Sequence, residues 1–411
     1  MPEKPRLLYL IGQFPAINHG YLLAEIRHLR KLGFEIFVAS ISAPDRTAEK
    51  LSPEEREEAE RTYYVKSASL ANAALQNVAE FLTHPLRYLR GLIFSLRLAG
   101  LHLKAFVYHL AYFAEAVLVG RQMRKLNVTH VHASFSTTVA LLAERTFPIT
   151  MSFAVYGFGE LYDPAGTHLA QKIDHAVFVR SISRYGRGQL MLACDRTAWP
   201  KLICAPLGIN PAEYKQRSPQ PFSSPAKLLC VGRLAPEKGQ GLLLDAIAAI
   251  SAVGSCAHLR FVGDGPDREW LERRAHELGI ASSITFEGWV TQERLAEIYG
   301  ETELFVLPSL AEGIPMVLME AMAQGIPCVA PKIAGIPELI ADGEEGILFA
   351  VGDVEELIEA IRRALASPDL CERVSAKARQ KVLSSYDAER NTGRFARVFE
   401  KFVFPKPEIP D

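Results

Sequence analysis

Leu304-Phe-Val-Leu307, Pro308-Ser-Leu-Ala311 and Glu312-Gly-Ile-Pro-Met-Val-Leu-Met-Glu320 follow one another without a break. The first block is a short apolar run ended by a proline, the composition of a strand buried on both faces. Pro315 is favoured in the first turn of a helix, so a helix is expected to open near it. A parallel strand that leads directly into a helix is half of a βαβ unit. It leaves the helix's free N–H groups and positive dipole end facing whatever lies beyond the strand.

The same rhythm recurs outward in both directions. Toward the N-terminus, runs at Leu7–Leu10, Glu35–Ile41, His130–Ala133, Thr150–Val155, Ala176–Arg180 and Leu202–Ala205 alternate with helical stretches. Around the opening segment they fall at Lys227–Val231, His258–Val262, Ser283–Phe286, Leu304–Leu307, Pro327–Ala330 and Gly346–Phe349. Between the two series, Ile209 to Pro225 is polar and carries Pro211, Pro219, Pro221 and Pro225, which reads as an interdomain linker. The expectation is an α/β chain of two doubly wound, Rossmann-like domains facing an interdomain cleft. Residues 1–208 form the first domain, 209–225 the linker and 226–385 the second domain, with 386–411 as a C-terminal helix returning to the first.

The opening segment also carries chemistry. Its helix N-terminus suits a diphosphate. Glu312 precedes the helix and Glu320 is expected about two turns inside it. The rise per residue then separates the carboxylates by about 12 Å, so that one suits sugar hydroxyls and the other ribose hydroxyls. Val231-Gly-Arg-Leu-Ala-Pro-Glu-Lys-Gly239 follows a strand and adds Arg233 and Lys238, two cations able to neutralise a departing nucleoside diphosphate without a metal. Phe261-Val-Gly-Asp-Gly-Pro266 is a tight turn after a strand. It imitates the start of GxGxxG, but Arg268 stands at the third glycine position, against a dinucleotide reading.

Together these residues resemble the retaining GT-B glycosyltransferases of family four, which build exopolysaccharides, lipopolysaccharide cores and glycolipids. The Glu-x7-Glu motif matches Glu312 and Glu320. GRLxxEKG matches Gly232 to Gly239, and GDGP matches Gly263 to Pro266. Phe286-Glu-Gly-Trp-Val290 looks like the loop lining the base pocket, and Gly335-Ile-Pro-Glu338 and Asp342-Gly343 match later landmarks. The resemblance implies that Arg233 and Lys238 hold the donor diphosphate, that Glu312 touches the transferred sugar and that Glu320 binds ribose. It also implies a donor-side role for Gly12, Trp289 and Val290 and for the backbone at Gly313, Ile314, Met316 and Val317. In the first domain, His130-Val-His-Ala-Ser-Phe135 is similar to HxHxHF with Ser134 for the last His. Ser152-Phe-Ala-Val-Tyr156 is similar to SFTAH with Tyr156 for the His. His132 and Tyr156 are therefore candidates on the acceptor or sugar side.

The implied function is metal-independent transfer, with retention, of a hexose from a UDP or GDP sugar to a lipid-linked or glycan acceptor, with no cofactor besides the donor. The alternative is a sugar-nucleotide-binding partner of another transferase, with reduced turnover. In the 411-residue chain, 46 Lys and Arg nearly cancel 47 Asp and Glu, so no global field favours nucleic acid. The cysteines, Cys194, Cys204, Cys230, Cys256, Cys328 and Cys371, lack zinc spacing and read as small buried apolar residues. His130 and His132 point the same way on a strand with no third ligand in view, so no metal is expected. The apolar run Leu7–Ile11 is too short for a secretory core, which suggests a cytoplasmic chain. From Glu80 to Tyr112, Leu, Phe and Tyr are interleaved with Arg87, Arg90, Arg97, His102 and Lys104. These residues read as helices covering the first sheet or as a peripheral contact with the inner face of a membrane.

Overall fold

The computed structural model describes residues 4–217, 221–254 and 257–405, the side chain of Phe158 excepted. It falls into two units. One comprises Met1–Ile182, Gly186–Ala205 and Glu389–Asp411; the other comprises Ser183–Tyr185 and Pro206–Ala388.

The first unit holds a seven-stranded parallel sheet: β1 (Arg6–Gln13), β2 (Glu35–Ser42), β3 (Tyr63–Tyr64), β4 (His130–Ser134), β5 (Thr150–Val155), β6 (Ala176–Ser181) and β7 (Leu202–Cys204). Leu8 of β1 pairs with Phe37 on one side and Val131 on the other, so the spatial order is β3-β2-β1-β4-β5-β6-β7. Side chains alternate across a strand, and β1 shows the consequence. Leu8 and Leu10 join a core with Phe113, Val117 and Leu141, whereas Leu7, Tyr9 and Ile11 join another with Ile26, Phe178, Phe395 and Phe399. Burial on both faces explains why the strand reads as a continuous apolar run rather than an alternating one. The helix Ala388–Phe402 supplies Phe395 and Phe399, each with no exposed surface, so the C-terminal helix forms part of this core.

The second unit repeats the plan with six parallel strands: β8 (Ala226–Val231), β9 (Ala257–Val262), β10 (Ile284–Gly288), β11 (Leu304–Val306), β12 (Cys328–Pro331) and β13 (Ile347–Phe349). Their order is β10-β9-β8-β11-β12-β13. Each apolar run read from the sequence carries a strand, with ends shifted by at most three residues. The edge strand β3 was not anticipated, because two residues are too few to show a period. In each sheet the direction of winding reverses once, between β1 and β4 and between β8 and β11. At such points adjacent connections part to opposite faces and leave a crevice at the carboxyl ends of the strands.

The stretch Glu80 to Tyr112, read as helices, spans parts of three: Leu70–Thr83, Pro85–Ala99 and Leu103–Leu126. The last is long and apolar enough to cross a membrane. From Phe113 onward it nonetheless packs inside the first unit, where Phe113, Ala116, Val117, Val119 and Met123 are buried.

Candidate functional site

The connections leaving β8 and β11 meet at the winding reversal of the second sheet. After β8, residues Pro236–Lys238 form one 3-10 turn that ends on Gly239 at φ +64°. A Cβ on Gly239 would lie 2.3 Å from the carbonyl oxygen of Pro308, so glycine is required both for the backbone angle and for the approach of the two loops. The amides of Leu310 and Ala311 donate to the Glu237 carbonyl at 2.9 and 3.2 Å and hold the loops together. Lys238 is thereby delivered to Glu312: its Nζ donates to Oε1 at 2.5 Å, and Ser309 Oγ donates to the same oxygen at 2.7 Å. The Glu312 side chain is 8% exposed and that of Lys238 26%.

The helix that follows runs from Met316 to Ala323 with Pro315 as its N-cap. Pro315 has no N–H, but the amides of Met316 and Val317 belong to the first turn and have no acceptor within the helix. Gly313 and Ile314 lead into it, and the Gly313 carbonyl accepts from the Gly335 amide at 2.9 Å. The helix opens at Pro315 as expected, but Glu320 is its fifth residue and so lies one turn inside rather than two, since 3.6 residues make a turn. Tyr299 donates its hydroxyl to Glu320 Oε2 at 3.0 Å, and Tyr214 also bonds the carboxylate. Burial raises the Glu320 pKa, the two tyrosine hydrogen bonds oppose that rise, and the charge of Glu213 adds to it. Neither tyrosine, nor Ser309, was singled out from the sequence. Tyr299 and Tyr214 meet Glu320 across long separations with no local pattern, whereas Ser309, three residues before Glu312, could have been noticed.

The remaining second-unit candidates surround this core. Arg233 is exposed just beyond β8, its carbonyl held by Gln240 Nε2 at 2.8 Å. The turn at Gly263 packs against the same loop. Gly263 has φ +128°, and a Cβ there would sit 2.1 Å from the Gly232 carbonyl oxygen. Its amide donates to the Gly288 carbonyl at 2.8 Å, which sets the segment of residues 286–290 beside it, with Trp289 44% exposed and Val290 half-buried. Beneath the site, burial pushes the Cys230 thiol up to about 12, so it stays protonated. Cys328 and Cys371 are buried too, but Cys194 is half-buried and Cys204 exposed, because β7 ends at the sheet edge. Cys256 lies outside the described residues.

In the first unit, Gly12 near the end of β1 faces Phe135, whose Cβ would lie 3.3 Å from a Cβ placed on the glycine. Phe135 stacks on His19 at 4.7 Å and on Tyr156 at 5.0 Å, and the Tyr156 hydroxyl is hydrogen-bonded to Ser134 Oγ at 2.9 Å. The two departures from the family pattern thus pair with each other. His132 lies elsewhere. It is fully buried, shares Ser152 Oγ with His130 at 2.8 Å each, and meets Phe399 edge-on at 5.2 Å. It faces the core beneath the C-terminal helix, on the same face of β4 as Ser134 but two residues short of the strand's carboxyl end. Among the described residues, no three His, Cys, Asp or Glu side chains are grouped to hold a metal ion.

The family described as glycosyl transferases group 1 matches residues 212–381. The amylovoran biosynthesis glycosyltransferase AmsK of Erwinia amylovora is 27% identical over 53% of this chain and 58% of its own length. Glycogen synthase of Mycobacterium tuberculosis is 32% identical over 47% of this chain and 46% of its own. The match thus spans about half the length of these relatives. The crystal structure of Anabaena HepE in complex with UDP-glucose superposes with a TM-score of 0.73 at 17% identity, over 96% of this chain and 99% of that one. The architecture of the two units is GT-B.

Proposed function

We propose that the chain transfers a hexose from a nucleotide diphosphate sugar, UDP- or GDP-linked, to a lipid-linked or glycan acceptor in polysaccharide or glycolipid biosynthesis, a reading supported by the match of residues 212–381 to glycosyl transferases group 1 and by the GT-B fold. The observation that carries this reading is the Lys238–Glu312 pair set before the Met316–Ala323 helix at the winding reversal of the second sheet. Both contacts to Glu312 fall on Oε1, so Oε2 remains for a sugar hydroxyl. The donor diphosphate lies against the amides of Met316 and Val317, with Lys238 and Arg233 supplying positive charge. As the sugar leaves, negative charge grows on the terminal phosphate, and preorganised donors stabilise it most at that moment. In this reading no metal is needed. Glu320 accepts the ribose hydroxyls, and Trp289 with Val290 borders the base.

Retention follows if the departing phosphate takes the acceptor's proton on the face it leaves, a route that needs no positioned carboxylate base. The proposed setting is the cytoplasm. The Ser134–Tyr156 hydrogen bond keeps open the second reading, a donor-binding partner with reduced turnover. A thermal-shift panel of UDP, GDP and ADP sugars, followed by release of labelled sugar from the best binder, decides between them. Stabilisation with turnover supports the transferase, stabilisation without turnover the binding partner, and no stabilisation by any nucleotide sugar overturns both.

A further inference from the structure

The three helices between Leu70 and Leu126 turn an unusual face to solvent. On Pro85–Ala99 the inward side is Gly91, Ser95 and Ala99, all buried, while the outward stripe at helical spacing is Leu86, Leu89, Arg90, Ile93 and Arg97. Leu86 is 84% exposed. On the neighbouring helices Leu75 and Leu82, and Leu103 and Val107, are each more than half exposed, and Leu101 at the turn between the second and third is entirely uncovered. Large apolar side chains held out together in water indicate a surface with a partner.

The charge of the face identifies that partner. Arg87, Arg90, Arg97 and Lys104 are all exposed. Between Arg61 and Glu115 the only acidic residue is Glu80, which is buried and paired with Arg121 and Arg124. A face that is apolar and cationic, with no exposed carboxylate, complements an anionic lipid surface, where leucines enter the headgroup boundary and the basic groups meet lipid phosphates. A protein partner of ordinary composition would bring charges of both signs.

We propose that this face, centred on Leu86, Leu89, Ile93, Leu101 and Leu103, docks the first unit on an anionic bilayer without crossing it. The buried part of Leu103–Leu126, from Phe113 onward, anchors the face in the core, so docking needs no unfolding. This inference does not depend on the transfer chemistry, and lipid binding and turnover can fail separately.

The test is flotation of the full chain with vesicles of phosphatidylcholine containing phosphatidylglycerol, against phosphatidylcholine alone, at low and high salt. Recovery with the anionic vesicles that weakens with salt is expected, since the screening length falls from about 10 Å at 0.1 M to about 3 Å at 1 M. The double variant Leu101→Ser with Leu103→Ser should lose recovery. Arg87→Ser, Arg90→Ser and Lys104→Ser should each lower partition about fivefold. All these side chains are exposed, so thermal unfolding verifies that the variants are folded. Equal recovery on both vesicle types, or none at low salt, overturns the proposal. So does light scattering that shows a dimer dispersed by the Leu101 and Leu103 changes, which would assign the face to a second copy of the chain.

Discussion

Lys238 Nζ and Glu312 Oε1 lie 2.5 Å apart although 74 positions separate them in the chain. The pair joins the two loops that frame the winding reversal, so each side chain fixes the other before any ligand arrives. Glu312→Gln and Lys238→Ala should each lower turnover about 10²- to 10³-fold, the usual loss of one preorganised charge contact. Residues in direct contact do not act independently, so the double variant should lose much less than the product of the two single losses. Steady-state rates of the four proteins check this, and parental rates in both single variants would remove the site from the second unit.

Glu320 makes a different demand. Burial raises its pKa, so in the folded chain it holds a proton at pH values where the unfolded chain has already released one. Between the unfolded carboxylate range and the raised folded value, stability therefore falls as pH rises. Glu320→Gln should remove that slope, make the ligand-free protein more resistant to heat at neutral pH, and reduce the stabilisation conferred by the donor. Melting curves with and without nucleotide from pH 4 to pH 8 test the three effects together. A variant that melts lower at every pH would show that the carboxylate serves the fold alone.

Much of this architecture was legible in the chain, for a physical reason. Strands buried on both faces become continuous apolar runs, so Thr150–Val155 announced itself, whereas the edge pair Tyr63–Tyr64 has no run to show. The motifs single out the two loops that carry Lys238 and Glu312, but the contact between these side chains depends on Gly239 allowing one loop to reach the Pro308 carbonyl. The tyrosines that hold Glu320 come from a preceding helix and from Pro206–Ala388's first loop, and no local spacing links them. His132 was drawn toward the site by a motif; its burial depends on Phe395 and Phe399, more than 260 residues away.

Chelation separates two ways of handling the donor's charge. In the proposed reading, Lys238, Arg233 and the first turn of Met316–Ala323 supply the positive field that a divalent ion would otherwise bring. Turnover should survive exhaustive treatment with EDTA and gain little from added magnesium or manganese. Activity lost on chelation and restored by either ion would mean that the metal carries the developing phosphate charge, and the roles of Lys238 and Arg233 would have to be reassigned.

Acid should loosen the first unit through two of its buried histidines, His130 and His132. Burial pushes His130 down to about 3, and His132 lies well below its usual value through burial first, then the charges of Arg180 and His130. An unfolded histidine takes up its proton near pH 6.5. From there down to about 3 the unfolded chain binds the proton that folded His130 refuses, so stability is lost as pH falls through that window. Each such group can contribute up to about 1.4 kcal/mol per pH unit. Gln at position 130 can still bond Thr150 and Ser152 but does not titrate. His130→Gln should therefore unfold at a urea midpoint that depends less on pH between 6.5 and 4.5 than the parent's does. The acidic residues titrate alike in both proteins, so the difference in slope isolates the histidine. Parallel midpoints across that range would show that His130 releases its burial cost in some other way, for example by carrying its proton in the fold.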